Sequence, residues 1–151
     1  MKQEKLEWSK PFKEAKFLVD ANIFLEVELA QRKADSSEKV LRKFHRGELK
    51  GMVLDFAIDT IVITMENYGK KWSEIKTFLA SLLGYKGLLI HFSTLLDRIM
   101  ATNYMKNFGL DFDDALALRA MKENGIGNII SYDKDFDAVS DVKRILPESL
   151  L

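Results

Sequence analysis

The chain contains no cysteine. That excludes disulfide frameworks, cysteine-ligated zinc, iron–sulfur clusters and cysteine nucleophiles together, and it fits a reducing cytoplasm. Proline is nearly as scarce, with only Pro11 and Pro147, both near the ends. Nothing between them divides the 151 residues into linkers, and no internal repeat or low-complexity tract is visible, so a single domain over 1–151 is expected. Net charge is also missing: 23 Lys and Arg balance 23 Asp and Glu. A protein that grips nucleic acid by bulk charge is usually basic. This one would need a local basic patch or metal ions. No apolar run approaches the ~18 residues that a bilayer requires. The N-terminal MKQEKLEWSKPFKEAK is charged, unlike a signal peptide, so no membrane role is expected. What the chain does have is apolar content, 47% of residues, enough for a core and too much for a disordered polymer.

Hydrophobic patterning gives alternating strands and helices. Lys16–Asp20 is a short apolar run that stops at an acid and reads as a buried strand. Helical spacing follows over Ala21–Gln31, where Asn22 is a candidate cap, and over Ser36–His45, where Ser37 is another. Met52–Leu54 is a second strand ending at Asp55. Helices are expected over Phe56–Tyr68, Trp72–Leu83, Thr94–Asn107 (closed by Gly109) and Asp113–Asn124. Gly87–Phe92 and Gly127–Asp133 read as strands, and Val142–Leu146 as a short edge strand. This order predicts an α/β fold, a three-layer sandwich with a mostly parallel sheet between helices. Ligands in such sheets sit beyond the carboxyl ends of the strands. Asp20, Asp55 and Asp133 all fall at strand ends, where a buried strand has little reason to place a carboxylate, and this points to a shared acidic pocket.

Carboxylates crowded together repel, and their pKa values rise. A hard divalent cation with oxygen ligands, Mg²⁺ or Mn²⁺, is the usual compensation. Such an ion lowers the pKa of a bound water and stabilises the leaving oxygen of a phosphodiester.

The segments VDANIFLE, FDDALAL with MKENGIGNII after it, and SYDKDF together resemble a PIN domain, the nuclease fold of VapC-type toxins, over about residues 16–146. The resemblance implies a metal-dependent endoribonuclease, the toxin of a toxin–antitoxin pair, with RNA as substrate, an antitoxin as partner and a homodimeric, cytoplasmic state. It implies that Asp20, Asp114 and Asp133 hold Mg²⁺ or Mn²⁺, with Asn22, Ser131 and Asp135 in support. The family's second acid, a glutamate early in the helix after the second strand, is replaced here by Thr60. At 100° per residue Asp55, Asp59 and Glu66 share one helix face, which makes Asp59 and then Glu66 the substitutes.

Plainer roles compete at every position. Asp20 and Asp114 suit helix starts, and Asp113 there is read as a cap. Asp133, Asp135 and Asp137 suit turns. The basic stretch Arg42, Lys43, Arg46 and Lys50, with Lys70 and Lys71, reads first as a solvated face and second as phosphate contacts. His45 and His91 are not expected to bind metal. IFLEVELA and TFLASLLGY read as core, part of them available to a second copy or an antitoxin, and Trp8 precedes the first strand without an assigned neighbour. Two other functions are carried forward: a PIN-like binding module that lost turnover with the change to Thr60, and a haloacid dehalogenase-like phosphatase, for which Asn22 stands where a second aspartate is needed.

Overall fold

The computed structural model describes residues 15–151, so Trp8 and Pro11 lie outside the described residues. Five short strands form one all-parallel sheet: β1 (Phe17–Val19), β2 (Gly51–Leu54), β3 (Leu88–His91), β4 (Asn128–Ile130) and β5 (Lys143–Ile145). Six helices connect them: α1 (Ala21–Glu28), α2 (Ala34–Arg46), α3 (Asp55–Asn67), α4 (Trp72–Ser81), α5 (Leu95–Phe108) and α6 (Phe112–Glu123).

The strands read FLV, GMVL, LLIH and NII because a parallel sheet is covered on both faces and needs apolar side chains on each. Successive side chains point to opposite faces. Leu18, Met52, Leu54 and Ile129 therefore join one core with Leu116, Leu118 and Met121 of α6. Val19, Val53 and Ile130 join the other with Phe24 of α1, Phe44 of α2 and Met65 of α3. Glycine stops α5 as the pattern predicts: Gly109 takes φ +67 and its amide bonds the Met105 carbonyl. Gly87 is required by crowding instead, since a Cβ there would collide with the Leu49 carbonyl oxygen.

Several boundaries differ from the sequence pattern. Helix α2 starts at Ala34, which leaves Ser37 inside it and fully buried rather than capping it. Helix α1 is capped by Asp20, not Asn22. Of the TFLASLLGY stretch only Phe78 is buried, while Leu79 and Leu83 are exposed, so most of that run is surface. Among the described residues no helix is long and apolar enough to cross a membrane.

The strand order is β3-β2-β1-β4-β5. The chain winds outward from β1 to β3, then returns to lay β4 on the other side of β1. The order reverses between β1 and β4, and this is where an open parallel sheet leaves its ligand crevice.

Candidate active site

Asp20 follows β1 directly. Its Oδ1 accepts the Ala21 amide at 2.8 Å, and its Oδ2 accepts the Ser131 hydroxyl at 2.6 Å and Asn22 Nδ2 at 3.1 Å. Ser131, fully buried at the end of β4, ties this side to the next: its Oγ accepts Asn22 Nδ2 at 3.0 Å and the Asp133 amide at 2.9 Å. Asn22 Oδ1 accepts the Tyr132 amide at 3.3 Å. Asn22 thus bridges the two strand ends. Burial holds the Asp20 carboxyl above the usual carboxylate range, against the pull of its bonds to Ser131 and Ala21.

Asp133 caps the 3-10 turn Lys134–Ala138 by accepting the Asp135 amide at 2.9 Å. Phe136, wholly inaccessible, pins that turn into the core. Asp114 arrives from the first turn of α6, buried at 6% exposure. One carboxylate oxygen from each of Asp114, Asp133 and Asp135 lies within 4.8 Å of the others. Desolvation, then repulsion from Asp113, Asp20, Asp133 and Asp135, pushes the Asp114 carboxyl up to about 8. Asp135 is also raised, chiefly by Asp133, and a hydrogen bond with Asp114 moderates it.

The resemblance implies Asp20, Asp114 and Asp133 as the metal set. The tight trio here is Asp114, Asp133 and Asp135, with Asp20 joined to it through Ser131. Asp20 and Asp114 line a small cleft, about 30 Å³, shared with Asp113, Thr60, Leu54, Phe56 and Ala57. The expected substitutes for the missing glutamate are elsewhere. Asp59 and Glu66 are exposed, and Glu66 borders a separate groove with Trp72 and Leu83. Asp59, one residue and 100° of helix from the Thr60 that lines the cleft, is exposed and does not line it. Asp55 does not join the pocket either: its Oδ1 accepts the Phe56 and Ser93 amides, which fastens the loop after β3.

Two contributors were not assigned to the site from the sequence. Arg144 on β5 grips Asp137 with two bonds, Nε to Oδ1 at 2.9 Å and Nη2 to Oδ2 at 3.2 Å, and its Nη1 reaches the Ser131 carbonyl at 3.4 Å. It clamps the turn carrying Asp133 and Asp135 to the sheet. Asp113, read as a cap, does accept the Asp114 amide at 2.9 Å, yet it also lines the cleft.

The basic stretch is remote from the acids. Helix α2 runs into β2, so its carboxyl end lies at the opposite edge of the sheet from the strand ends that carry the acids. Within it Arg42 pairs with Glu38 and Arg46 with Glu48, while Lys43 donates to the Leu150 carbonyl. A second group, His91, Asp97 and Glu123, also gathers donor atoms within 4.8 Å. There the Arg119 guanidinium already pairs with both acids, at 3.1 and 3.3 Å.

The donor chemistry of the first cluster fits a hard cation. Its groups are all carboxylate oxygens, the set preferred by Mg²⁺ or Mn²⁺, and a cation there would relieve the repulsion that raises Asp114. Removing the Ser131 hydroxyl tests how the cluster is held. Ser131→Ala leaves the Asp133 amide and Asp20 Oδ2 each short of a partner, and is expected to cost about 1–3 kcal/mol in urea unfolding. An unchanged midpoint would contradict that account.

Comparison with known proteins bears on this site. The family model for the PIN domain matches residues 17–142. Among solved structures, the Mycobacterium tuberculosis toxin VapC20, described as cleaving the sarcin–ricin loop, superposes with a TM-score of 0.67 at 14% identity, covering 82% of this chain and 95% of that one. A toxin–antitoxin complex from Klebsiella pneumoniae gives 0.64 at 13% identity, covering 86% and 96%. Comparison with curated proteins by sequence finds no match. With the parallel sheet, the acids at its reversal point and a family match over most of its length, the chain belongs to the PIN domain family.

Proposed function

We propose that this protein is a metal-dependent endoribonuclease acting as the toxin of a toxin–antitoxin pair. PIN domains are nucleases, and the two similar structures described above are a toxin and a toxin–antitoxin complex. The observation that carries the reading is the trio Asp114, Asp133 and Asp135, crowded within 4.8 Å although one member is buried and held largely protonated near neutrality. A fold gains nothing in stability from that arrangement. It gains a binding site.

In this reading Asp20, Asp114 and Asp133, with Asp135, hold Mg²⁺ or Mn²⁺, which supplies an activated water and charge neutralisation at the scissile phosphate. Ser131 and Asn22 keep Asp20 oriented, while Phe136 and Arg144 fix the turn that presents Asp133 and Asp135. Lys134 is exposed at the rim, where it can meet an RNA phosphate. An antitoxin and a second copy complete the reading. Exposed apolar side chains suited to such contacts lie at Phe92, Leu95 and Leu96, and at Trp72 and Leu83.

Incubation of structured RNA with Mn²⁺ tests the activity. The wild-type protein is expected to cut at discrete positions and Asp20→Asn to cut at least a hundredfold more slowly. Identical RNA profiles for the two would overturn the nuclease reading. Thr60 favours a second reading, a PIN-like module that binds RNA or protein without turnover, because no carboxylate of α3 lines the cleft. That reading expects tight partner binding and no cleavage by the wild-type protein.

A further inference from the structure

A net charge of zero and a cleft lined by acids give an RNA strand little to hold beside the carboxylates. In α2 the arginines are engaged with Glu38 and Glu48. The turn between α3 and α4 is different. Its sequence is Tyr68-Gly-Lys-Lys-Trp72. Gly69, at φ +84, donates its amide to the Glu66 carbonyl at 3.0 Å, and the Lys70 amide bonds the Met65 carbonyl at 3.0 Å. Met65 is wholly buried, so the turn is fixed to the core. Both aromatics nevertheless stand in solvent, Tyr68 at 65% exposure and Trp72 at 75%, although tryptophan is a highly buried residue on average. Among the described residues neither ring pairs with another aromatic or lies under a cation. Lys70 lies 3.9 Å from Glu74. Lys71 and Lys76 are exposed and, among the described residues, form no ion pair.

We propose that this turn is a second RNA contact, where bases stack on Trp72 and Tyr68 while Lys71 and Lys76 meet phosphates. The combination suits a single strand, because every base has a π-face and ammonium charge tracks the backbone. A protein anchor is the competing occupant, since Trp72 shares a groove with Val62, Leu79 and Leu83. Lysine is depleted at the cores of protein interfaces, whereas here Lys71 adjoins Trp72 and Lys76 lines the groove with it. Helix α3 links the turn to the centre: Phe56 and Thr60 in its first turns line the acidic cleft, and Tyr68 follows its last residue. At 1.5 Å per residue, Phe56 and Tyr68 are about 18 Å apart along the helix axis. A strand of roughly five stacked nucleotides covers that span, so one RNA reaches both places. The proposal rests on the reading of RNA as substrate, and its test is separate from cleavage.

Binding by the full chain is measured in EDTA, by the fluorescence anisotropy of a labelled single-stranded RNA of about 12 nucleotides, beside circular dichroism to confirm folding. Trp72→Ala is expected to bind roughly tenfold more weakly or worse, and Tyr68→Ala severalfold, the usual effect of removing a stacked ring. Trp72→Phe keeps a ring and is expected to stay within about threefold of wild type. Lys71→Ala should flatten the plot of log affinity against log salt by about 0.7 in slope. Leu83→Ala removes an exposed side chain of the same groove that has no π-face, and is expected to change affinity less than about twofold. In a Trp8→Phe background Trp72 is the remaining tryptophan, and RNA should quench its emission. Equal RNA binding by wild type and Trp72→Ala overturns the proposal. So does a loss in Leu83→Ala as large as in Trp72→Ala, which marks an apolar face for a protein. A wild-type protein that cuts RNA with Mn²⁺ but binds none in EDTA keeps the nuclease reading and loses this contact. One that binds RNA through Trp72 but cuts none with Mn²⁺ loses the nuclease reading and keeps the contact.

Discussion

In EDTA at pH 8, Asp114→Asn should melt roughly 5–10 °C above the wild-type protein, and at pH 5 the two should melt within a few degrees of each other. Burial and neighbouring carboxylates lift the Asp114 carboxyl to about 8, from an ordinary value near 3.8. Between those values the folded protein keeps a proton that the unfolded chain has released. Stability without metal is therefore largest at low pH within this window and falls as pH rises from about 4 to 8. A single group could account for about 1.4 kcal/mol per pH unit. Shared with its neighbours, the loss from pH 5 to 8 is on the order of 3 kcal/mol. Asparagine has no proton to lose, so the variant escapes it. On the proposed metal-dependent reading the gain should reverse with Mn²⁺, which would stabilise the folded wild type by mass action and have little hold on the variant. Differential scanning fluorimetry from pH 5 to 9, with EDTA or Mn²⁺, decides it. A wild-type melting temperature that rises through this range without metal, with no advantage for Asp114→Asn, would refute the crowding.

Phe136→Ala should unfold the protein by about 3–5 kcal/mol more easily, the usual cost of emptying a filled aromatic site. Phe136 is wholly inaccessible and packs in the core that includes Leu18, Ile129 and Met121. It also sits between Asp135 and Asp137, so the same ring that fills the core anchors the acids. Mn²⁺ affinity should fall by more than in a variant of similar stability loss at the remote Phe44. Chemical denaturation and Mn²⁺ titration on both variants provide the comparison. Equal affinities would show that Arg144 and the Asp133 cap hold the turn without the ring.

Much of the layout is readable from local pattern. Apolar runs that stop at Asp20 and just before Ser131 give the strands and the end of the sheet where the acids collect, although β4 ends at Ile130 and Asp133 caps the turn after it. Thr94 and Gly109 bound α5 because capping chemistry is local. What the pattern does not supply is rotation. A helical wheel gives angles between residues but not which angle meets the cleft, and one residue separates Asp59 from Thr60 by 100°. Asn22 fits a cap by sequence, yet its amide bridges to Ser131, 109 positions away, a contact that only the folded sheet creates. Arg144 lies on a three-residue strand, too short for any alternation to show where its guanidinium points. Asp113 and Asp114 are adjacent and alike in sequence. Only tertiary packing separates the buried one from the exposed one.

The hydroxyl of Ser131 and the carboxylate of Asp20 meet across 111 positions of chain. The strand that delivers Ser131 is the fourth to be synthesised and pairs with the first. A ribosome making this protein therefore carries an incomplete centre until β4 has emerged and docked beside β1, and only then do the acids converge. Fragments that end before β4 therefore lack the centre, however well their first three strands fold.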